Sequence, residues 1–292
     1  MNESVISRRY ATYGGYGTCE LVVAGSGPTV LLLHGFGHSA ECWRPVLERC
    51  ARRGVHAVAV DLPGFGSASR LRSGPKLDQL LQFTRGLIRT YSARGPVVLA
   101  GNSLGGLLSI LVAGESNPVH EVGYLVAVDP AGVGWTYPVQ VMSLGANSPL
   151  KILALAWPAI PLLPRSLLSW STAYLCYGRK DRVDPAMIAK LTEHFDSRSQ
   201  ARRLTKLAVQ FKAEVDRVRL PDRITMPMTM IHGGRDRLVP VSGARRLVRR
   251  IHGGRLVVLP HAGHCPHLDE PDRVADVIIE YAQRRPALNA LA

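Results

Sequence analysis

The sequence contains no apolar run long enough to cross a bilayer. Its longest, Ile152 to Pro164 (ILALAWPAIPLLP), falls short of the roughly 20 residues that a membrane helix needs and is broken by Pro158, Pro161 and Pro164. The opening stretch MNESVISRRYATYGGYG lacks the apolar core of a secretory signal. Cysteines are few and unpaired: Cys19, Cys42, Cys50, Cys176 and Cys265 make an odd count, with no close pair and no metal-type spacing to histidine. This pattern points to neither a disulfide scaffold nor a sequence-local zinc motif, and the expectation is a soluble protein of a reducing compartment, the cytoplasm. Internal repeats and low-complexity tracts are also absent, which excludes a solenoid and a disordered chain.

Acidic residues are scarce, 22 against 36 lysines and arginines, for a net charge of +14. Such an excess raises the question of a nucleic-acid partner. It is scattered, however, and its densest stretch, Arg235 to Arg255, carries Arg245, Arg246, Arg249 and Arg250 on a surface helix with no aromatic residue to stack on bases. The reading is a solvated basic face and no nucleic acid; a weak contact with an anionic membrane surface is the one partner that the charge suggests.

With 292 residues, 46% of them hydrophobic, the chain can bury a large core. Strand-like runs lie at 19–24, 29–35, 55–61, 96–102, 124–130, 228–234 and 255–260; the later ones are continuous and β-branched, as in strands buried on both faces of a parallel sheet. Helical patterns at 40–53, 77–93, 104–113, 243–251 and 272–284 alternate with them. This alternation predicts an α/β fold with a doubly wound, mostly parallel sheet. From 133 to 219 no strand is evident, yet Trp135, Trp157, Trp170 and many leucines are present, followed by a helix-compatible stretch from Pro185 to Val218. An interval this long is no plain loop. It predicts a helical cap over 133–219 inserted into a core of 1–132 and 220–292.

The run PVVLAGNSLGG sends a buried strand into a glycine-flanked serine. In a parallel sheet the carboxyl ends of the strands form the ligand edge, so Ser103 reaches that rim at the amino end of the next helix. A sharp strand-to-helix turn strains its central residue, and Gly101 and Gly105 remove side chains that would clash. A serine hydroxyl becomes a nucleophile only beside an oriented base. His264, in PHAGHCPHLDEP after the last strand, is the candidate base and would titrate near the ordinary histidine value of about 6.5; His261 is read as a hydrogen-bonding neighbour and His267 as a helix-start residue. Asp236, after the strand MTMIHGG, is the candidate acid, with Asp129 at the end of YLVAVD as its competitor. The backbone N–H groups of Leu104 and Phe36 are the candidate oxyanion donors, the latter in His34-Gly35-Phe36-Gly37, where His34 shapes the loop. That loop has neither a phosphate-loop lysine nor G-x-G-x-x-G.

The motifs HGFGHSAECW, DLPGFGSAS, GNSLGG, GGRDRLVP and HAGHCPHLDEP, in this order and spacing, resemble those of the α/β-hydrolase fold superfamily, in the branch with a helical cap after the sixth core strand. Serine at the elbow separates the chain from haloalkane dehalogenases and epoxide hydrolases, whose nucleophile is a carboxylate. The GNSLGG elbow is similar to that of meta-cleavage-product carbon–carbon hydrolases, although HGFGHSA replaces their Gly-Pro-Gly-type loop and Cys265 their tryptophan after the histidine. The resemblance implies a Ser103–Asp236–His264 hydrolase with no metal or organic cofactor. It would act on a small apolar or amphipathic ester or thioester, with carbon–carbon cleavage as the alternative and a non-catalytic receptor as the competing class.

Overall fold

The computed structural model describes residues 6–115, 121–137, 139–140, 165–193, 197–251 and 253–283. Eight strands form one sheet: β1 (Ser7–Tyr13), β2 (Tyr16–Val23), β3 (Ser26–Leu33), β4 (Val55–Val60), β5 (Val97–Asn102), β6 (Val122–Val128), β7 (Met228–Gly233) and β8 (Arg255–Leu259). Their order is β1-β2-β4-β3-β5-β6-β7-β8, antiparallel where β1 meets β2 and β2 meets β4, and parallel from β4 to β8. Seven of these strands carry the apolar runs that mark them in the sequence. The eighth, β1, escapes that reading because SRRYATY is an exposed edge strand whose apolar content is low. Its signal was the turn Gly14-Gly15, with φ of +54° and +81°, the left-handed pair that a two-residue hairpin requires.

The helices are α1 (Arg44–Arg52), α2 (Lys76–Ser92), α3 (Leu104–Ala113), α4 (Arg165–Cys176), α5 (Pro185–Thr192), α6 (Arg198–Val215), α7 (Val241–Arg250), α8 (Pro266–Asp269) and α9 (Pro271–Gln283). Because strand side chains alternate, each core strand supplies both faces. Leu31 and Leu33 of β3 pack with α2, α3 and α6, while Val30 and Leu32 pack with α1, α5 and α9. Helix α2 shows how the fit arises: Leu77, Leu80, Phe83, Thr84, Leu87 and Ile88, spaced three and four apart, form its buried stripe. On α7 the same spacing buries Ala244 and Leu247 and leaves Arg245, Arg246, Arg249 and Arg250 exposed. No helix among the described residues is long and apolar enough to cross a membrane.

Between β6 and β7 the described residues carry α4, α5 and α6; the apolar run 152–164, read above as part of a cap, lies outside the described residues. Two of the polar ties between this segment and the rest of the chain run through carboxylates. Glu214 of α6 accepts hydrogen bonds from the backbone N–H of Lys76 and Leu77, capping α2 at 2.9 and 2.8 Å. Glu41 accepts from Lys190 of α5 at 3.0 Å, from Arg44 at 2.8 Å and from Arg8 of β1 at 2.7 Å. Burial by itself would raise the Glu41 carboxyl, but the hydrogen bonds from Arg44 and Lys190 bring it down to about 2. A carboxyl whose folded-state pKa is depressed adds stability above its unfolded value and loses it as pH falls toward the folded one. Glu41→Gln is therefore expected to lower the melting temperature by a few degrees at neutral pH, with the gap to the wild type closing between about pH 4.5 and 2. A gap independent of pH would show that Glu41 acts only through packing.

Candidate active site

β5 is buried along its whole length and ends at Asn102; α3 begins at Leu104. The one residue between them, Ser103, is forced to φ +51° and ψ −111°, a region that costs a non-glycine residue about 1–3 kcal/mol. The surroundings over-determine it. Its N–H donates to Val128 O at 2.9 Å, and its carbonyl accepts from Leu107 N at 2.9 Å and Ala131 N at 3.0 Å. A Cβ at Gly101 would lie 2.3 Å from the Gly105 carbonyl, and one at Gly105 would lie 2.3 Å from Leu33 O. Both glycines are thus needed for the reason that the sequence suggested. Gly35 belongs to the same crowd, since a Cβ there would meet Ser103 Cβ at 3.2 Å.

The candidate oxyanion donors converge from two sides. His38 N donates to Gly35 O at 3.2 Å, closing a turn in which Gly37 has φ +74° and Phe36 occupies the position whose N–H points out of the turn. Leu104 is the first residue of α3, where N–H groups lack an intrahelical acceptor. Among the described residues neither N–H donates to a protein acceptor. The Gly105 N–H to His34 O bond at 3.2 Å ties the two segments together. His34 is fully buried; its Nδ1 donates to Gly35 O at 2.7 Å and its Nε2 accepts from Leu62 N at 2.9 Å, so it shapes the loop as expected. The Phe36 ring packs edge-on against Phe65 and against Phe211 of α6.

His264 lies on the loop after β8 with Nδ1 2.7 Å from Asp236 Oδ2. The other Asp236 oxygen accepts from Leu238 N at 2.7 Å and Val239 N at 3.0 Å, fixing the carboxylate on the loop after β7. Burial disfavours both charges, yet each ion stabilises the other: Asp236 is brought down to about 2 and His264 pushed up to about 9, above the ordinary value expected from sequence. Asn102 joins this loop to the elbow, its Nδ2 donating to His264 O at 3.0 Å and Val128 O at 3.3 Å.

Asp129 does not bond to His264. Its carboxylate position, fully buried at the end of β6, takes Gly233 N at 3.0 Å and faces His232 Nδ1 at 3.0 Å. Burial first, and the charge of Asp236 second, hold the Asp129 carboxyl well above the usual carboxylate range. Burial likewise pushes His232 down, so this histidine–carboxyl contact joins two neutral groups. A protonated Asp129 hydrogen-bonds to Asp236 and leaves that carboxylate as the one anion of the pair.

Of the neighbouring histidines, His267 starts a helix as expected, as the second residue of α8, and His261 departs from its expected role. His261 is exposed and stands in the wall of a cavity of about 950 Å³ lined also by Trp170, Tyr174, Arg179, Arg235 and Arg237; Ser103, His264, Phe36 and Leu104 are not among its lining residues. His267 is buried within α8 and stacked 4.3 Å from Trp43. Asp269, which sequence reading missed, accepts from Gly263 N at 2.7 Å and Gly178 N at 2.9 Å and so anchors the His264 loop to the end of α4. Nothing local in HLDEP marks that role, because its partner segment is 91 residues away.

The sheet, the elbow and the loop positions are those of an α/β hydrolase. The sequence pattern of the alpha/beta hydrolase family matches residues 30–277, and the chain belongs to that family. It is similar to the monoacylglycerol lipase abhd6-B of Xenopus laevis, with 25% identity over 94% of this chain and 81% of the relative. It is also similar to the 2-hydroxy-6-oxo-6-(2'-aminophenyl)hexa-2,4-dienoic acid hydrolase of Metapseudomonas resinovorans, with 22% identity over 100% of this chain and 96% of the relative. Among solved structures, the serine hydrolase CarC of carbazole degradation superposes with a TM-score of 0.75 at 23% identity, covering 96% of this chain and 100% of that one.

The His264–Asp236 pair is open to direct measurement. By NMR titration of the imidazole, His264 is expected to stay protonated until about pH 9 in the wild type; in Asp236→Asn, where burial acts without the anion, it is expected to titrate below about 6.5. A wild-type midpoint near 6.5 would mean that the pair is not an ion pair.

Proposed function

We propose that the chain is a serine hydrolase that cleaves a carboxylic ester or thioester of an apolar substrate through an acyl-enzyme. The observation that carries this reading is the strained Ser103 on the sheet edge that also holds the bonded His264–Asp236 pair, with the Leu104 N–H next in the chain and the Phe36 N–H following Gly35, both without a protein acceptor among the described residues. With Nδ1 committed to Asp236, Nε2 of the neutral ring, the form that gains as pH rises toward about 9, takes the Ser103 proton as Oγ attacks the carbonyl carbon. The N–H groups of Phe36 and Leu104 would receive the oxyanion, and His264 would return its proton to the leaving alcohol or thiol. Water, activated by the same imidazole, then releases the acid. Asp236 holds the ring and its charge; Asp129, neutral and bonded to Gly233, positions Asp236.

An apolar substrate is supported by the phenylalanine wall of Phe36, Phe65 and Phe211 beside the Phe36 N–H, one member of which comes from α6. In this reading the segment between β6 and β7 is a cap over that wall. The lipase relative is consistent with it. Similarity to the dienoic acid hydrolase along the whole chain, and the GNSLGG elbow, favour carbon–carbon cleavage as a second reading with the same residues.

Ser103→Ala is expected to lose several orders of magnitude in kcat with little change in melting temperature, and a fluorophosphonate probe should label the wild type at Ser103 and leave the variant unlabelled. Lack of labelling in the folded wild type would favour a receptor. A series of chromogenic esters graded by acyl length, run beside a dienoate substrate, separates the two hydrolytic readings. Asp236→Asn is expected to cost on the order of 10⁴ in kcat, a magnitude known from a serine protease, because the histidine loses its anionic partner. Asp129→Asn replaces one neutral group by another of like shape, and a loss below about tenfold is expected. The reverse ranking, in folded variants, would assign the acid to Asp129.

A further inference from the structure

Behind the elbow three soft donors from distant parts of the chain meet. His38 follows the Phe36 turn, Cys176 ends α4, and Cys265 follows His264; all three are buried, with 9%, 6% and 0% of their surfaces exposed. Their ligating atoms all lie within 4.8 Å of one another, and His38 Nε2 is 3.8 Å from Cys176 Sγ. A tetrahedral zinc with S and N ligands at about 2.3 and 2.0 Å sets such atoms roughly 3.5–3.8 Å apart, so the cluster needs little contraction to close on an ion.

The backbone frame that presents these donors stands without the thiols. Cys265 N donates to Cys176 O at 2.9 Å. Asp269 grips both strands of that contact through Gly178 N and Gly263 N. The donors themselves are poorly served by protein partners. His38 Nδ1 has none among the described residues, and the contacts at Nε2 and at Cys265 Sγ, the latter 4.0 Å from Asn102 Oδ1, are long. The two thiols hydrogen-bond to each other, a weak S–H contact, and a cation would satisfy them and the buried imidazole at once.

We propose that His38 Nε2, Cys176 Sγ and Cys265 Sγ form a binding site for a soft divalent cation of the zinc class. Binding would release the two thiol protons, forming two metal–sulfur bonds and one metal–nitrogen bond, with the two thiolates balancing the charge of the ion. A water would complete the coordination. The ion would tie the end of α4 to the loops that carry Phe36 and His264, and Cys265 would bring it next to Asn102, whose amide holds His264 O.

Cobalt is the probe, since thiolate ligation gives it a near-ultraviolet charge-transfer band that needs no turnover. The full-length chain, kept reduced and stripped with a chelator, is expected to take one cobalt ion with that band, to exchange it for zinc, and to melt higher with either metal. Cys176→Ser and Cys265→Ser should each lose the band, while Cys19→Ser, outside the cluster, should keep it. Melting in chelator establishes that the variants fold. Should either variant fail to fold, the wild type still decides: zinc is expected to protect Cys176 and Cys265, located by mass spectrometry, from slow alkylation. No thiolate band in the wild type, an undiminished band in both cluster variants, or protection mapped to other cysteines would overturn the site.

Discussion

Everything at the rim depends on how closely β5, β3 and α3 approach one another. Gly105 lies against Leu33 O and Gly101 against Gly105 at separations that no Cβ could share, and Gly35 lies closely against Asn102 and Ser103. That approach leaves one residue between strand and helix and forces it into a left-handed backbone, with its carbonyl turned to Leu107 and Ala131. The strain is local, while the hydrogen bonds and buried strands that maintain it are spread over the sheet. Neither the half-buried Ser103 nor the two N–H groups that lack an acceptor among the described residues would be where they are with a wider turn.

Charge at the site is arranged by burial as much as by composition. A chain with a large basic excess brings two carboxyls together at its core, which can persist only if one is neutral. Asp129 is the one with no hydrogen bond from a cation, since burial pushes His232 toward its neutral form and the His264 charge acts on Asp129 without a bond between them. Asp236 has His264 and two backbone N–H groups and keeps its charge. The arginines stay outside: Arg235 and Arg237, on either side of Asp236 in the chain, donate to the carbonyls of Gly178 and of Tyr174 and Tyr177. Their positive charge therefore braces the end of α4 and does not compete for the Asp236 carboxylate.

The helices between β6 and β7 are joined to the sheet domain by a few specific contacts and not by a broad apolar face alone. Glu214 caps α2, Lys190 reaches Glu41, and Phe211 meets Phe36 at the oxyanion loop. The last of these couples the inserted segment to the position of a candidate donor. In the same way Asp269 and the Cys265–Cys176 backbone bond couple α4 to the histidine loop. These helices thus touch both loops that the proposed chemistry uses.

Local pattern determined a large share of this protein. Continuous β-branched runs marked seven strands, since a strand buried on both faces admits little else, and Gly-x-Ser-x-Gly behind such a run marked the elbow. His264 and Asp236 were legible because loops after β8 and β7 must open on the same edge as the one after β5. The edge strand β1 was not, because an exposed strand is free to be polar. Chain order favoured Asp236 over Asp129; only tertiary structure showed their different surroundings, Asp236 bonded to His264 and Asp129 fully buried at the end of β6. Tertiary structure alone also brought His38, Cys176 and Cys265 together and gave Asp269 its partners Gly178 and Arg179, since residues so far apart in the chain leave no spacing to read.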